Sequence, residues 1–106
     1  LWLDDERDPK DPYIQEDFGA KGDEVWVKTV EEAIEHLKTG LVTSISLDFD
    51  LGVSHRNGMF AAQWILEETK NNGFKKIEWN AHTSNRWAAV EMSRVLVQAE
   101  KIWASS

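Results

Sequence analysis

The chain has 106 residues, 42% hydrophobic and 29% charged, a balance that predicts one soluble globular domain over 1–106 and not a disordered tail. It contains no cysteine, which excludes a disulfide scaffold, a thiol nucleophile and a zinc–thiolate site. Twelve basic against nineteen acidic residues give a formal charge of −7; this excludes a broad phosphate-tracking nucleic-acid surface but leaves room for a small phosphate site bridged by a metal ion. No apolar run approaches the roughly 18 residues of a membrane span, and no signal-peptide pattern opens the chain, so no membrane partner is expected and the expected compartment is the cytoplasm. The chain opens at Leu1 inside a strand-like run, so a residue or two is expected to precede it.

Taken in order, a first strand is expected over Leu1–Leu3, followed by a charged loop over residues 6–24 punctuated by Pro9, Pro12, Gly19 and Gly22. Loops of that length in compact domains commonly bind or cover something. A second strand is expected over Val25–Val27. A helix follows over Val30–Lys38, with Val30, Ala33, Ile34 and Leu37 on one face, a capping box of Thr29 and Glu32, and Gly40 at its stop. A third strand is expected over Leu41–Leu47. The next helix runs from about Met59 to Lys70, with Phe60, Ala61, Trp64 and Ile65 inward and the Asn71, Asn72, Gly73 sequence at its end. A fourth strand is expected over Ile77–Ala81, and a last helix from Arg86 to Trp103, in which Ala88, Met92, Val95, Leu96, Ala99 and Ile102 keep helical spacing. Strands alternating with helices favour a parallel sheet with right-handed crossovers. The expectation is a small open α/β sandwich of about four strands and three helices, with chemistry beyond the carboxyl ends of the strands.

Those ends are rich in polar groups. The first strand ends in Asp4, Asp5 and Glu6, the third in Asp48 and Asp50, and the fourth in His82, Thr83, Ser84 and Asn85. Carboxylates converging on one edge repel one another unless a cation neutralises them, and a hard divalent ion such as Mg²⁺ or Mn²⁺ suits oxygen ligands without cysteine. Asp4, Asp5, Asp48 and Asp50 are therefore the candidate metal ligands, although each segment alone is also what a turn or a helix cap requires. Asp48, directly after an apolar strand, is the better candidate for an inner ligand or nucleophile. Thr83, Ser84 or Asn85 caps the last helix, and together with Arg86 they form a candidate phosphate site opposite the carboxylates. His82 is open to two readings, a general acid or base and a merely packed imidazole. Arg7, Arg56 and Arg86 are the cations nearest the strand ends, and any of them could contact phosphate. His36 is expected to be solvated, and His55 lies in the loop after the acidic pair. Trp2, Trp26, Trp64 and Trp79 read as core, and Trp87 as helix packing.

An acidic pair after strand one, an Asp after strand three and a Thr after strand four resemble the phosphoacceptor receiver domain of two-component signalling. The resemblance implies a truncated receiver or flavodoxin-like sandwich in which Asp4 and Asp5 hold magnesium, Asp48 takes the phosphoryl group and Thr83 binds its oxygens. Two departures are evident: a loop over residues 6–24 stands in place of the helix between strands one and two, and nothing after Trp103 supplies a fifth strand with its lysine. Leu-Asp-Asp-Glu-Arg at 3–7, Val-Glu-Glu-Ala-Ile at 30–34, Ser-Leu-Asp-Phe-Asp-Leu-Gly at 46–52 and His-Thr-Ser-Asn at 82–85, with Met92, are similar in more detail to the cyclic-phosphate processing receiver domain. Phe49 stands where a histidine is common in that family, and Arg86 where a proline usually follows the asparagine.

That resemblance implies a metal-dependent phosphoesterase acting on or binding cyclic phosphates, with Asp48 and His82 as catalytic residues and a cyclic nucleotide or an RNA terminus as partner. The alternatives are a receiver-type signalling module, a phosphonucleotide-binding module without catalysis, and a protein-interaction domain. The sequence leaves the oligomeric state open.

Overall fold

The structure, a computed structural model, describes residues 1–52 and 55–105. Its elements are β1 (Trp2–Leu3), α1 (Pro12–Phe18), β2 (Trp26–Val27), α2 (Val30–Lys38), β3 (Ser44–Leu47), α3 (Gly58–Asn72), β4 (Glu78–Ala81) and α4 (Arg86–Ala104). The sheet is parallel throughout, in the order β2-β1-β3-β4. Register is fixed by Trp2 opposite Trp26 on one side and Ser46 on the other, and by Leu47 opposite Ala81. From β1 the chain moves outward to β2, then crosses back to place β3 on the other side of β1. The strand order therefore reverses between β1 and β3, which is where an open α/β sheet leaves a crevice at its carboxyl edge.

Alternation along the strands sorts the side chains by face. Leu3, Val27, Ile45 and Leu47 join one buried cluster with Val30, Ala33 and Leu37 of α2, Ala61, Ala62 and Ile65 of α3, and Met92 and Leu96 of α4. The opposite face carries Trp2 and the half-buried Ser46, and there the Trp2 indole stacks on the imidazole of His82 at 3.8 Å between ring centroids. The two faces have unequal cover, with three longer helices on one and the seven-residue α1 near the other.

All the expected strands and helices form, with shorter strands. β3 starts at Ser44, not at Leu41, because Leu41 lies before the paired segment and is 83% exposed. Thr29 caps α2 as anticipated, its Oγ1 accepting from the Glu32 amide at 3.2 Å, while Glu32 Oε1 accepts from the Lys28 amide at 3.4 Å, one residue before the cap and not from the cap itself as a capping box would have it. The principal addition is α1, within the segment expected to be a loop. Asp11 caps it by accepting from the Tyr13 amide, Pro12 opens it, and Gly19 ends it in the left-handed region at φ 80°. Two side-chain placements also differ. Phe60 is 45% exposed, because it falls at the edge of the buried stripe of α3, and Trp87, at the second position of α4, is 67% exposed and not packed. Trp2 is wholly buried, whereas Trp26, Trp64 and Trp79 are half-buried.

One close approach ties this scaffold to the strand ends. Gly58, capped by Asn57, donates its amide to the Phe49 carbonyl at 2.8 Å, and a Cβ at this position would lie 1.9 Å from the Asp48 carbonyl oxygen and 3.3 Å from the Met92 sulfur. Only glycine lets the start of α3 sit directly under the end of β3. Gly58→Ala is expected to lower stability by at least about 1–3 kcal/mol, read as a fall in the urea midpoint. An unchanged midpoint would show that this packing is looser than described.

Candidate metal and phosphate site

The turn after β1 is built around Asp4, which is fully buried. Its Oδ1 accepts the amides of Glu6 and Arg7, each at 2.9 Å. Two indoles pin the same turn from below: Trp2 Nε1 donates to the Arg7 carbonyl at 2.9 Å, and Trp26 Nε1 donates to the Asp4 carbonyl at 2.7 Å. Across the β1–β3 pairing, the Asp48 amide donates to the Leu3 carbonyl at 2.9 Å, which brings the Asp48 side chain beside the turn. Asp4, Asp5 and Asp48 each present an oxygen within 4.8 Å of the other two. The Arg7 guanidinium reaches into this cluster, with Nη1 at 3.2 Å from Asp4 Oδ2 and 3.4 Å from Asp48 Oδ2.

His82 belongs to the same cluster but lies behind it. Its amide donates to the Leu47 carbonyl, continuing the β3–β4 pairing by one step. That step turns the ring onto Trp2, with Nε2 at 2.9 Å from Asp4 Oδ2 and Nδ1 at 2.7 Å from Ser46 Oγ. Both ring nitrogens are engaged, and the side chain is fully buried. Of the two readings left open by the sequence, this placement matches the packed, hydrogen-bonded one. His82 orients Asp4, and its buried ring is not among the residues that line the neighbouring cleft.

A cleft of about 330 Å³ opens on the other side of the carboxylates. Asp5, Arg7, Asp48 and Asp50 line one part of it, and Thr83, Ser84 and Asn85 the other. Thr83 Oγ1 accepts from the Asn85 amide at 3.2 Å, and Asn85 Oδ1 accepts from the Ala88 amide at 3.1 Å, so Asn85 is the residue that caps α4. Asp50 lines the cleft but stands outside the group of three; its Oδ1 accepts from the Gly52 amide at 3.1 Å, which makes it the loop former of the acidic pair. Arg86 is exposed at the first position of α4 and is not among the lining residues. His55 is exposed near Gly52, and His36 is exposed on α2, as expected for a solvated residue.

Burial acts on both inner carboxylates in the same sense, but their net shifts are opposite. Burial by itself would raise the Asp4 pKa, but hydrogen bonds from His82, from the Arg7 and Glu6 amides and from the Arg7 side chain outweigh it and hold this carboxyl below its ordinary value. Among the described residues Asp48 has only the Phe49 amide as a hydrogen-bond donor, at 2.9 Å. Burial and the negative charge of Asp4 therefore raise its pKa, against the pull of Arg7 and His82. Asp48 is thus a desolvated acid whose charged form is compensated only in part.

Sequence reasoning missed several supporting parts: Ser46 as the partner of His82, the two indole donors that fix the turn, and the central place of Arg7. Arg7 was legible as a nearby cation, and its i,i+3 spacing from Asp4 was the available signal.

The first 98 residues match the family model described as the cyclic-phosphate processing receiver domain. This chain belongs to that family. Searches of curated proteins and of solved structures returned no match. Membership agrees with the truncated receiver-like sheet. Among the described residues no helix is long and apolar enough to cross a membrane.

The contrast between the two carboxylates has a measurable consequence. An acid held below its unfolded pKa stabilises the native state at neutral pH and loses that contribution as pH falls through the native value; an acid held above it penalises the native state increasingly as pH rises from the unfolded value through the native one. Without metal at pH 7, Asp4→Asn is expected to destabilise the protein by about 3–5 kcal/mol, as for loss of one partner from a buried ionic network. Asp48→Asn is expected to raise the melting temperature, with the gain vanishing toward acidic pH. Thermal melts between acidic and neutral pH check both signs, and a destabilised Asp48→Asn variant would contradict the electrostatic description.

Proposed function

We propose that this chain is a metal-dependent phosphoesterase acting on cyclic phosphates, either at RNA termini or in small cyclic nucleotides. The observation that carries this reading is the meeting of Asp4, Asp5 and Asp48 oxygens within 4.8 Å beside a cleft whose other wall offers Thr83, Ser84 and Asn85. A group of three carboxylates, with no sulfur or imidazole in it, is a donor set that suits Mg²⁺ or Mn²⁺ better than zinc. Asp5 and Asp48 would hold the ion, with Asp4 beneath them. When bound, it would neutralise the phosphate and the charge that develops on it.

The chain's own residues divide the remaining work. Thr83 and Ser84 present hydroxyls to the non-bridging oxygens, and Asn85 fixes the start of α4 beside them. Asp48 accepts the proton of the attacking water. Water adds to phosphorus, one ester P–O bond of the ring breaks, and the freed ribose oxygen takes a proton, leaving a phosphomonoester. His82 acts through Asp4 as a positioning residue. Arg86, outside the cleft lining, has no contact in this scheme. The formal charge of −7 favours a terminus or a small nucleotide over a long nucleic-acid tract.

A second reading, phosphorylation of Asp48 as in receiver signalling, is favoured by one observation. Asp48 Oδ1 is held by the Phe49 amide, which leaves Oδ2 on the Arg7 side as the oxygen able to attack a phosphoryl donor. With Mg²⁺ and a 2′,3′-cyclic nucleotide, the wild-type protein is expected to release a monoester, EDTA to stop the reaction, and Asp48→Asn to lose at least about 100-fold in rate. Wild-type rates in Asp48→Asn would refute the hydrolytic scheme. A stable phosphoryl adduct on Asp48 in intact mass spectra, after incubation with a small phosphodonor, would favour signalling instead.

A further inference from the structure

The cleft carries an unusual charge balance. Four acidic residues and one basic residue, Arg7, are among those that line it. An anionic phosphate cannot enter such a space on the strength of hydroxyls alone. Three clustered carboxylates against one guanidinium leave a double negative charge, which a single divalent ion cancels. Arg7 is therefore one third of the local positive charge needed before a phosphate is tolerated, and its position decides how that charge is used.

The guanidinium is shared between the carboxylates and an aromatic platform. Nη1 is the nitrogen that approaches both Asp4 and Asp48, at 3.2 and 3.4 Å, longer than the roughly 2.7–2.9 Å of a strong charge-assisted bond and without the bidentate fork that Arg makes with a carboxylate it is committed to. The Arg7 side chain is a quarter exposed, whereas those of Asp4 and Asp48 are buried. Its Cζ lies 4.2 Å from the centroid of Phe18, the last residue of α1. Stacking on a ring keeps the plane and its outward N–H groups at the cleft edge while the charge stays available. The short helix thus has a part in the site: it brings Phe18 to Arg7.

We propose that Arg7 is a phosphate-binding residue of the cleft and, before metal enters, the internal counter-ion of Asp4 and Asp48, so that the divalent ion and the guanidinium compete for the carboxylates and metal binding turns Arg7 toward the phosphate. This inference rests on the metal-dependent phosphate reading above. It also gives the long segment after β1 a function, since Phe18 supplies the surface on which the guanidinium turns.

The test is calorimetric titration of the intact chain, first with Mg²⁺ alone and then with inorganic phosphate at saturating Mg²⁺. Arg7→Gln is expected to bind Mg²⁺ several-fold more tightly, because a competing cation is gone, and phosphate at least about tenfold more weakly, because a charged hydrogen bond is lost. Phe18→Leu keeps the charge but removes the platform, and is expected to weaken phosphate binding about two- to fivefold with Mg²⁺ affinity unchanged. It serves as the readout should Arg7→Gln fail to fold by near-ultraviolet circular dichroism. Unchanged phosphate affinity in the folded Arg7→Gln variant, or weaker Mg²⁺ binding in it, would overturn the proposal, as would unchanged phosphate affinity in Phe18→Leu if that variant is the one that folds. Absence of Mg²⁺ binding by the wild-type protein would instead count against the underlying functional reading.

Discussion

The structure depends on one electrostatic problem: three carboxylates from two strand ends share a space in which their charges cannot all be solvated. The protein treats them unequally. Asp4 is satisfied from within by two backbone amides, His82 and Arg7, and is locked as a buried structural anion. Asp48 keeps a single amide and remains a desolvated acid beside it. Asp5, half-buried at the rim, completes the group. In the proposed site Asp4 would be the floor and Asp5 and Asp48 the carboxylates offered to a cation, which would separate the residue that organises the site from those that do its chemistry.

The scaffold produces this arrangement by means that are individually ordinary. Parallel pairing of β1 and β3 sets Leu3 opposite Leu47, so the residues that follow each strand emerge side by side. Gly58 allows α3 to start directly beneath Asp48, and the Trp2 and Trp26 indoles hold the Asp4–Arg7 turn from the sheet side. Trp2 also stacks on His82, so one buried aromatic supports the turn and the imidazole that orients Asp4. The sparse cover on this face of the sheet leaves the Arg7–Phe18 pair near solvent, where a small anion can meet it.

Much of this was legible from the residues. Hydrophobic alternation and helical spacing located all four strands and the three long helices, because each turns apolar side chains toward the core, even β4, whose Trp79 and Ala81 are only partly buried. α1 has no buried residue, so periodicity could not find it; its only signals were local, an Asp-Pro start and a glycine stop. The convergence of Asp4, Asp5 and Asp48 followed from topology, since strand ends in a parallel sheet share an edge. The role of His82 could not follow in the same way. Whether an imidazole after a strand faces a cleft or the sheet interior turns on a single backbone step, and here that step puts it against Trp2 and Ser46. Asp50 illustrates the same limit, since two residues beyond Asp48 the chain has already turned and its carboxylate serves the loop.

The account stands on Asp4, Asp5 and Asp48 acting as one cation site. Crystals grown with Mn²⁺ and measured for anomalous scattering test that directly. A peak about 2.0–2.3 Å from oxygens of both Asp5 and Asp48, with Asp4 still bonded to His82, is the result expected. Ordered Asp5 and Asp48 side chains with no peak between them, or a peak held by Asp50 and other surface acids alone, would contradict it.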